Sequence, residues 1–146
     1  MNRPTIVLAE DHPNVAEQLR KLLSGAFDVV DVVGHGEALV KTALRLKPDV
    51  VVTDISMPGV DGIRAAHELV QQMPSLGVVF VTVHDDPALA RKALAVGRGY
   101  VLKTSAGEEL IDAVFAALDS RRFVSASLGP LELLLEGANP ARSGRA

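Results

Sequence analysis

The sequence contains no cysteine and no tryptophan, and only one tyrosine and four phenylalanines. Without thiols it can build neither a disulfide framework nor a zinc–thiolate site, which fits a reducing compartment. So few aromatics exclude a platform on which bases could stack and argue against a sugar-binding cleft. Positive charge is also scarce. The net charge is −3, and Lys and Arg are scattered apart from Arg121-Arg122 and a thinly basic tail. The basic stripe of a nucleic-acid binder is missing. No apolar run approaches the roughly 18 residues needed to cross a bilayer. The opening "MNRPTIVLAED" is too short in apolar residues for a secretory leader. The expectation is a soluble cytoplasmic protein that meets neither membrane nor nucleic acid through these residues.

What is present is apolar mass: 48% of 146 residues, enough to bury the core of one ordinary domain. Short apolar runs alternate with helical patterns. Strands are expected at Thr5–Ala9, Val29–Val33, Asp49–Asp54, Gly77–Thr82 and Gly99–Leu102. Helices are expected after His12-Pro13, over Glu37–Leu46, from Asp61-Gly62 to about Met73, from Asp86-Pro87 to Gly97, and after Ser105. Proline suits the first helical turn. Ser105 with Glu108 has the form of a capping box. Several strands are apolar without alternation, as parallel strands covered on both faces are. Five β/α units with short loops predict a doubly wound parallel sheet. The rhythm breaks after Arg122. A domain over 1–122 is expected, followed by a linker or tail over 123–146, in which a short Leu-rich piece at Leu131–Leu135 precedes a flexible end.

In open parallel sheets, ligands bind outside the carboxyl ends of the strands. The first strand ends in Glu10-Asp11, the third in Asp54, the fourth in Thr82 and the fifth in Lys103. Taken singly, an aspartate at a strand end is a turn former and an acid before a helix only suits its dipole. Together they place three carboxylates, a hydroxyl and an ammonium at one edge. Clustered carboxylates repel one another unless neutralised. Lys103 supplies one positive charge for three acids, and a hard cation such as Mg²⁺ would close the balance. One carboxylate can then attack a phosphoryl group, as in aspartyl-phosphate chemistry, while cation and ammonium neutralise the phosphoryl oxygens. Asp54, alone at a central strand end, is the natural nucleophile.

The stretches "VLAEDHP" (7–13), "VVVTDISMPGVDG" (50–62), "VVFVTVHDD" (78–86) and "GYVLKTSA" (99–106) resemble the receiver domains of bacterial two-component response regulators. The resemblance spans almost all of residues 4–120. It implies a flavodoxin-like (CheY-like) five-stranded sheet in the order 2-1-3-4-5 within three α/β/α layers. It implies that Asp54 accepts phosphate from a sensor histidine kinase or a phosphotransfer protein. Glu10, Asp11, Asp54 and the Ser56 backbone carbonyl would hold Mg²⁺, or Mn²⁺ in its place. Thr82 and Lys103 would bind the phosphoryl group, and Tyr100 would be the aromatic switch. The output face, and a possible homodimer contact, would be the fourth helix, fifth strand and fifth helix. The protein would act as no enzyme beyond its own phosphorylation and dephosphorylation.

"VHDDPALARKALAVG" (83–97) and "RRFVSASL" (121–128) are similar to the branch that precedes a helix-turn-helix domain, the NarL/FixJ type. That domain would need roughly 60 further residues, and it is not expected within this chain. Two departures from the family pattern stand out. The loop in "AVGRGYVLK" is one residue short, which predicts a tightened approach to Tyr100. Val83 follows Thr82 where the family prefers Ala or Gly, which predicts narrower access of water to the phosphoryl site. His84, two residues past Thr82, is a candidate to tune water attack. His12, His35, His67 and His84 show no metal-ligand spacing on one helical face. The rival readings are a phosphorylation-independent interaction module, the receiver half of a transcriptional regulator, and a small hydrolase with paired carboxylates. The hydrolase lacks any nucleophile triad or glycine-rich phosphate loop.

Overall fold

Runs rich in Val and Ile, bounded by Pro and Gly, form the strands here. The computed structural model of the chain describes residues 3–136. Strand and helix alternate as β1 (Thr5–Ala9), α1 (Pro13–Ser24), β2 (Asp28–Val33), α2 (Gly36–Leu46), β3 (Val50–Thr53), α3 (Gly62–Gln72), β4 (Gly77–Thr82), α4 (Pro87–Leu94), β5 (Gly99–Leu102) and α5 (Ala106–Leu118). Two further elements follow, β6 (Phe123–Val124) and α6 (Leu131–Glu136). All neighbouring strands are parallel, in the order β2-β1-β3-β4-β5-β6.

Strand parity divides the core into two layers. Val7, Ala9, Val51, Val78, Phe80, Tyr100 and Leu102 face α2, α3 and α4. Ile6, Leu8, Val50, Val52, Val79, Val81 and Val101 face α1 and α5. Every residue of β3, β4 and β5 is buried, which explains why these strands read as continuous apolar runs. β2 lies at an edge and stays partly exposed.

The helix starts follow local chemistry. Asp61 and Asp86 cap α3 and α4 by accepting from Arg64 N and Ala88 N, while Pro13 and Pro87 open α1 and α4. The expected capping box at Ser105 is not formed. Ser105 ends a 3-10 turn over Lys103–Ser105 and makes no capping bond with its side chain. Its φ of −109° and ψ of 4° lie outside the extended conformation that aims a capping oxygen at the helix.

The turn before Tyr100 runs close against β4. Arg98 N donates to Val78 O at 2.8 Å, which brings the chain flush against β4. A Cβ on Gly97 would lie 2.7 Å from Phe80 Cε2 and 2.9 Å from Val78 O. Only glycine fits there. The register beyond it is regular, with Tyr100 beside Phe80.

The sheet does not stop at the expected fifth strand. Phe123 and Val124 pair with Gly99 and Tyr100, so the sixth strand begins just past the expected boundary at 122. Two residues carry too little periodicity to be read as a strand, but the exposed edge of β5 supplies ready partners. The Leu-rich piece forms α6, and Leu134 is buried in the α2–α3–α4 layer. The flexible end expected after it, residues 137–146, lies outside the described residues.

Candidate functional site

The carboxyl ends of β1, β3, β4 and β5 meet at one edge, and the register explains how. Ala9 pairs with Thr53, Thr53 with Phe80, and Thr82 with Leu102. Glu10, Asp54 and Lys103 are the next residues along their strands. Asp54 N donates to Ala9 O at 2.9 Å, which fixes the aspartate beside Glu10. Gly62 closes the other side: its N–H donates to Ile55 O at 2.7 Å, and a Cβ would fall 1.9 Å from Asp54 O.

Lys103 joins the two acids. Its Nζ donates to Asp54 Oδ2 at 2.8 Å and lies 2.6 Å from Glu10 Oε1, close but poorly aligned for a hydrogen bond. The second oxygen of Asp54 accepts from Ile55 N at 2.7 Å. Both carboxylates are buried, Asp54 at 4% exposure and Glu10 at 3%. Burial pushes the Glu10 carboxyl up, but the Lys103 ammonium and the bonds from His12 outweigh it, and Glu10 is held below the usual carboxylate range. Burial likewise pushes Lys103 down, but Asp54 and Glu10 hold its ammonium above the ordinary lysine value.

The site carries more negative charge than it satisfies. Asp11 Oδ1 is buried with no hydrogen-bond partner among the described residues. Glu10, Asp11 and His12 each offer a ligand atom, all within 4.8 Å of one another. His12 Nδ1 lies 3.1 Å from Glu10 Oε2 and 3.3 Å from Asp11 Oδ1. Two adjacent carboxylates with a buried, under-bonded oxygen are the oxygen donors that suit a small hard cation. His12 sits in the loop at the α1 cap, which is how its ring reaches Glu10 and Asp11. Asp54, also expected among the ligands, has its two oxygens on Lys103 Nζ and Ile55 N.

The remaining expected residues form a connected set. Thr82 is buried, and its Oγ1 accepts from His84 N at 3.2 Å. His84 Nε2 lies 3.0 Å from Ser56 Oγ. Tyr100 is wholly buried and its hydroxyl donates to His84 O at 2.7 Å. Burial, reinforced by Asp86 and Asp85, pushes the Tyr100 hydroxyl up to about 12. His84 thus ties the loop after β3, the end of β4 and the aromatic ring of β5 together. Val83 stands apart from that network, 70% exposed.

Fold and site together define a flavodoxin-like α/β domain with a buried carboxylate–lysine centre at its switch edge. The family model for the response regulator receiver domain matches residues 6–115. The chain belongs to that family and is homologous to two-component regulators. It is 32% identical to the response regulator GacA of Pseudomonas aeruginosa over 139 residues, 92% of this chain and 64% of that protein. It therefore spans less than two thirds of that relative's length. Among solved structures, a LuxR-family response regulator from Aurantimonas superposes with a TM-score of 0.84 at 29% identity, covering 94% of this chain and 98% of that one. The isolated receiver domain of RcsB from Salmonella enterica, determined with the phosphomimetic BeF3−, gives 0.80 at 31% identity, covering 92% and 100%. No helix among the described residues is long and apolar enough to cross a membrane.

Proposed function

We propose that the chain is the phosphoacceptor receiver of a two-component relay, with Asp54 as the acceptor. The observation that carries this reading is the position of Asp54: buried, at a central strand end, sharing Lys103 with Glu10 at an edge where Asp11 Oδ1 is under-bonded. The donor is a phosphohistidine on a sensor kinase or a phosphotransfer protein. A carboxylate oxygen of Asp54 bonds to phosphorus as the P–N bond breaks, and the electron pair returns to the imidazole, which takes up a proton. Lys103 shifts from the carboxylate to a phosphoryl oxygen, and the Thr82 hydroxyl donates to another. Glu10, Asp11, Asp54 and the Ser56 carbonyl would hold Mg²⁺, or Mn²⁺, which when bound neutralises phosphoryl charge.

The protein turns over no other substrate; hydrolysis of its own acyl phosphate resets it. The signalling unit is residues 1–122, with 123–136 folded onto it, and it works in the cytoplasm. Tyr100 is the switch residue. Val83 narrows the approach of water and His84 tunes its attack, so Val83→Ala should shorten the phospho-Asp54 lifetime. A longer or unchanged lifetime would remove that role. Dimerisation through α4, β5 and α5 is the output we favour. Attachment to a DNA-binding domain, as the longer relatives suggest, is the second possibility.

The test is direct. Incubation with Mg²⁺ and a small phosphodonor should add one phosphoryl mass, localised to Asp54, and Asp54→Asn should abolish it. Equal labelling of the variant would overturn the reading. Multiple turnover of a phosphate ester would favour the hydrolase instead.

A further inference from the structure

The face assigned above to output already has an occupant. β6 pairs along β5, α6 packs on α4, and Leu134 is buried with Leu128, Leu131 and Leu135 around it in the layer that holds Leu94 and Tyr100. This is residues 123–136 of the chain itself, seated on α4 and β5.

Ser125 fastens that segment to the switch strand. It is wholly buried. Its N–H donates to Tyr100 O at 2.9 Å. Its hydroxyl accepts from Leu102 N at 2.8 Å and donates to Glu109 of α5. Ala126 N donates to the other Glu109 oxygen at 3.0 Å. Leu102 is the residue before Lys103. A continuous path therefore runs from Lys103 through Leu102 to Ser125. A second path runs from Thr82 through His84 and Tyr100 to the same serine.

We infer that residues 123–136 mask the α4–β5 face and that occupation of Asp54 releases them. The inference rests on the acceptor reading given above. Thr82 Oγ1 now accepts from His84 N. Moving Thr82 Oγ1 so that its hydroxyl can donate to a phosphoryl oxygen shifts the acceptor of His84 N, and with it the carbonyl that holds Tyr100. Drawing Lys103 off Glu10 strains the Leu102–Ser125 bond. Each motion loosens the fastening rather than tightening it. Coupling of this kind is reciprocal: what ligand binding weakens must, when weakened first, favour the ligand.

Hydrogen exchange on the full chain, with Mg²⁺ and with or without beryllofluoride, tests the release. Amides of 123–136 should exchange about tenfold faster when Asp54 is occupied, within the usual range of coupling between sites. Ser125→Ala, and independently Leu134→Ala on the far side of the segment, should bind beryllofluoride more tightly. Leu134→Ala leaves every bond of β5 in place, so it keeps the test open if Ser125→Ala folds poorly. Unchanged protection with ¹⁹F signals showing an occupied Asp54 would overturn the inference and leave the acceptor reading intact. So would wild-type affinity in both folded variants. Absence of any beryllofluoride adduct at Asp54 would overturn the acceptor reading and the inference with it.

Discussion

The polar clusters around Asp54 and around Ser125 are built in opposite ways. At Ser125, the backbone N–H, the hydroxyl and both Glu109 oxygens have partners at hydrogen-bond distance. At Asp54, one lysine serves two buried acids, and Asp11 Oδ1 makes no hydrogen bond among the described residues. A fully paired network holds a structure together. An over-charged, under-bonded one costs stability and persists where something else is meant to bind. The contrast separates fastening from function without reference to any motif.

The largest break in that contrast is Asp54→Asn. It should abolish acyl-phosphate formation and beryllofluoride binding entirely, read by intact mass and ¹⁹F spectra, while the protein stays folded. Next comes Lys103→Met, which leaves Glu10 and Asp54 facing each other without a cation. Removing one partner of a buried ion pair costs about 3 kcal/mol at neutral pH. The wild type and the variant should respond to acid with opposite sign. In the wild type, the depressed Glu10 carboxyl contributes stability that is present above its ordinary value of 4.5 and is lost as pH falls through the lower folded value. In the variant, burial of Glu10 without its cation favours the protonated form in the folded state, so stability should rise as pH falls from 7 toward 5. Lys103 adds stability below its ordinary 10.5 that is lost as pH climbs through its raised folded value, and the variant lacks that alkaline loss. Urea midpoints across pH would show whether the curves cross. Parallel curves would mean that Lys103 does not govern these acids.

At the satisfied cluster the expected effect is smaller. Ser125→Ala leaves Leu102 N and one Glu109 oxygen without partners and should cost about 2 kcal/mol, the usual penalty for stranding buried polar groups. Its beryllofluoride affinity should nonetheless rise. A variant that loses stability and affinity together would place Ser125 in the scaffold alone.

The two clusters also differed in how far they could be read in advance. Glu10, Asp11, Asp54, Thr82 and Lys103 each end a strand, and parallel topology obliges such ends to meet at one edge. Chemistry at strand termini is therefore legible once the alternation is seen. The Ser125–Glu109 bond joins residues 16 apart across a turn, with no period to announce it. β6 is only two residues long and exists because β5 offered an open edge. The His12–Glu10 contact escaped because helix-face spacing says nothing of a ring that folds back from the cap position. Ser105 with Glu108 misled in the other direction. The letters matched a capping box, but the 3-10 turn after β5 had already rotated the serine away from its helix.

The smallest expected effect lies between the clusters, at Tyr100. Its ring is core, shared with Phe80 and Leu94, and its hydroxyl makes one bond, to His84 O. Tyr100→Phe keeps the ring and should cost about 1 kcal/mol, the net worth of one hydrogen bond. The pH dependence reports the burial of that hydroxyl rather than its bond. A hydroxyl pushed up from 10.0 to about 12 is disfavoured as phenolate in the folded state. Its share of stability is present below pH 10 and drains away as pH rises toward 12. The wild type should therefore lose stability over that interval, whereas Tyr100→Phe should lose less. Parallel alkaline curves would mean that the Tyr100 hydroxyl is not held away from water in the folded state. If it links His84 to Ser125, Tyr100→Phe should also reduce the beryllofluoride-induced exchange of 123–136, because the path from Thr82 is cut while the path through Lys103 remains.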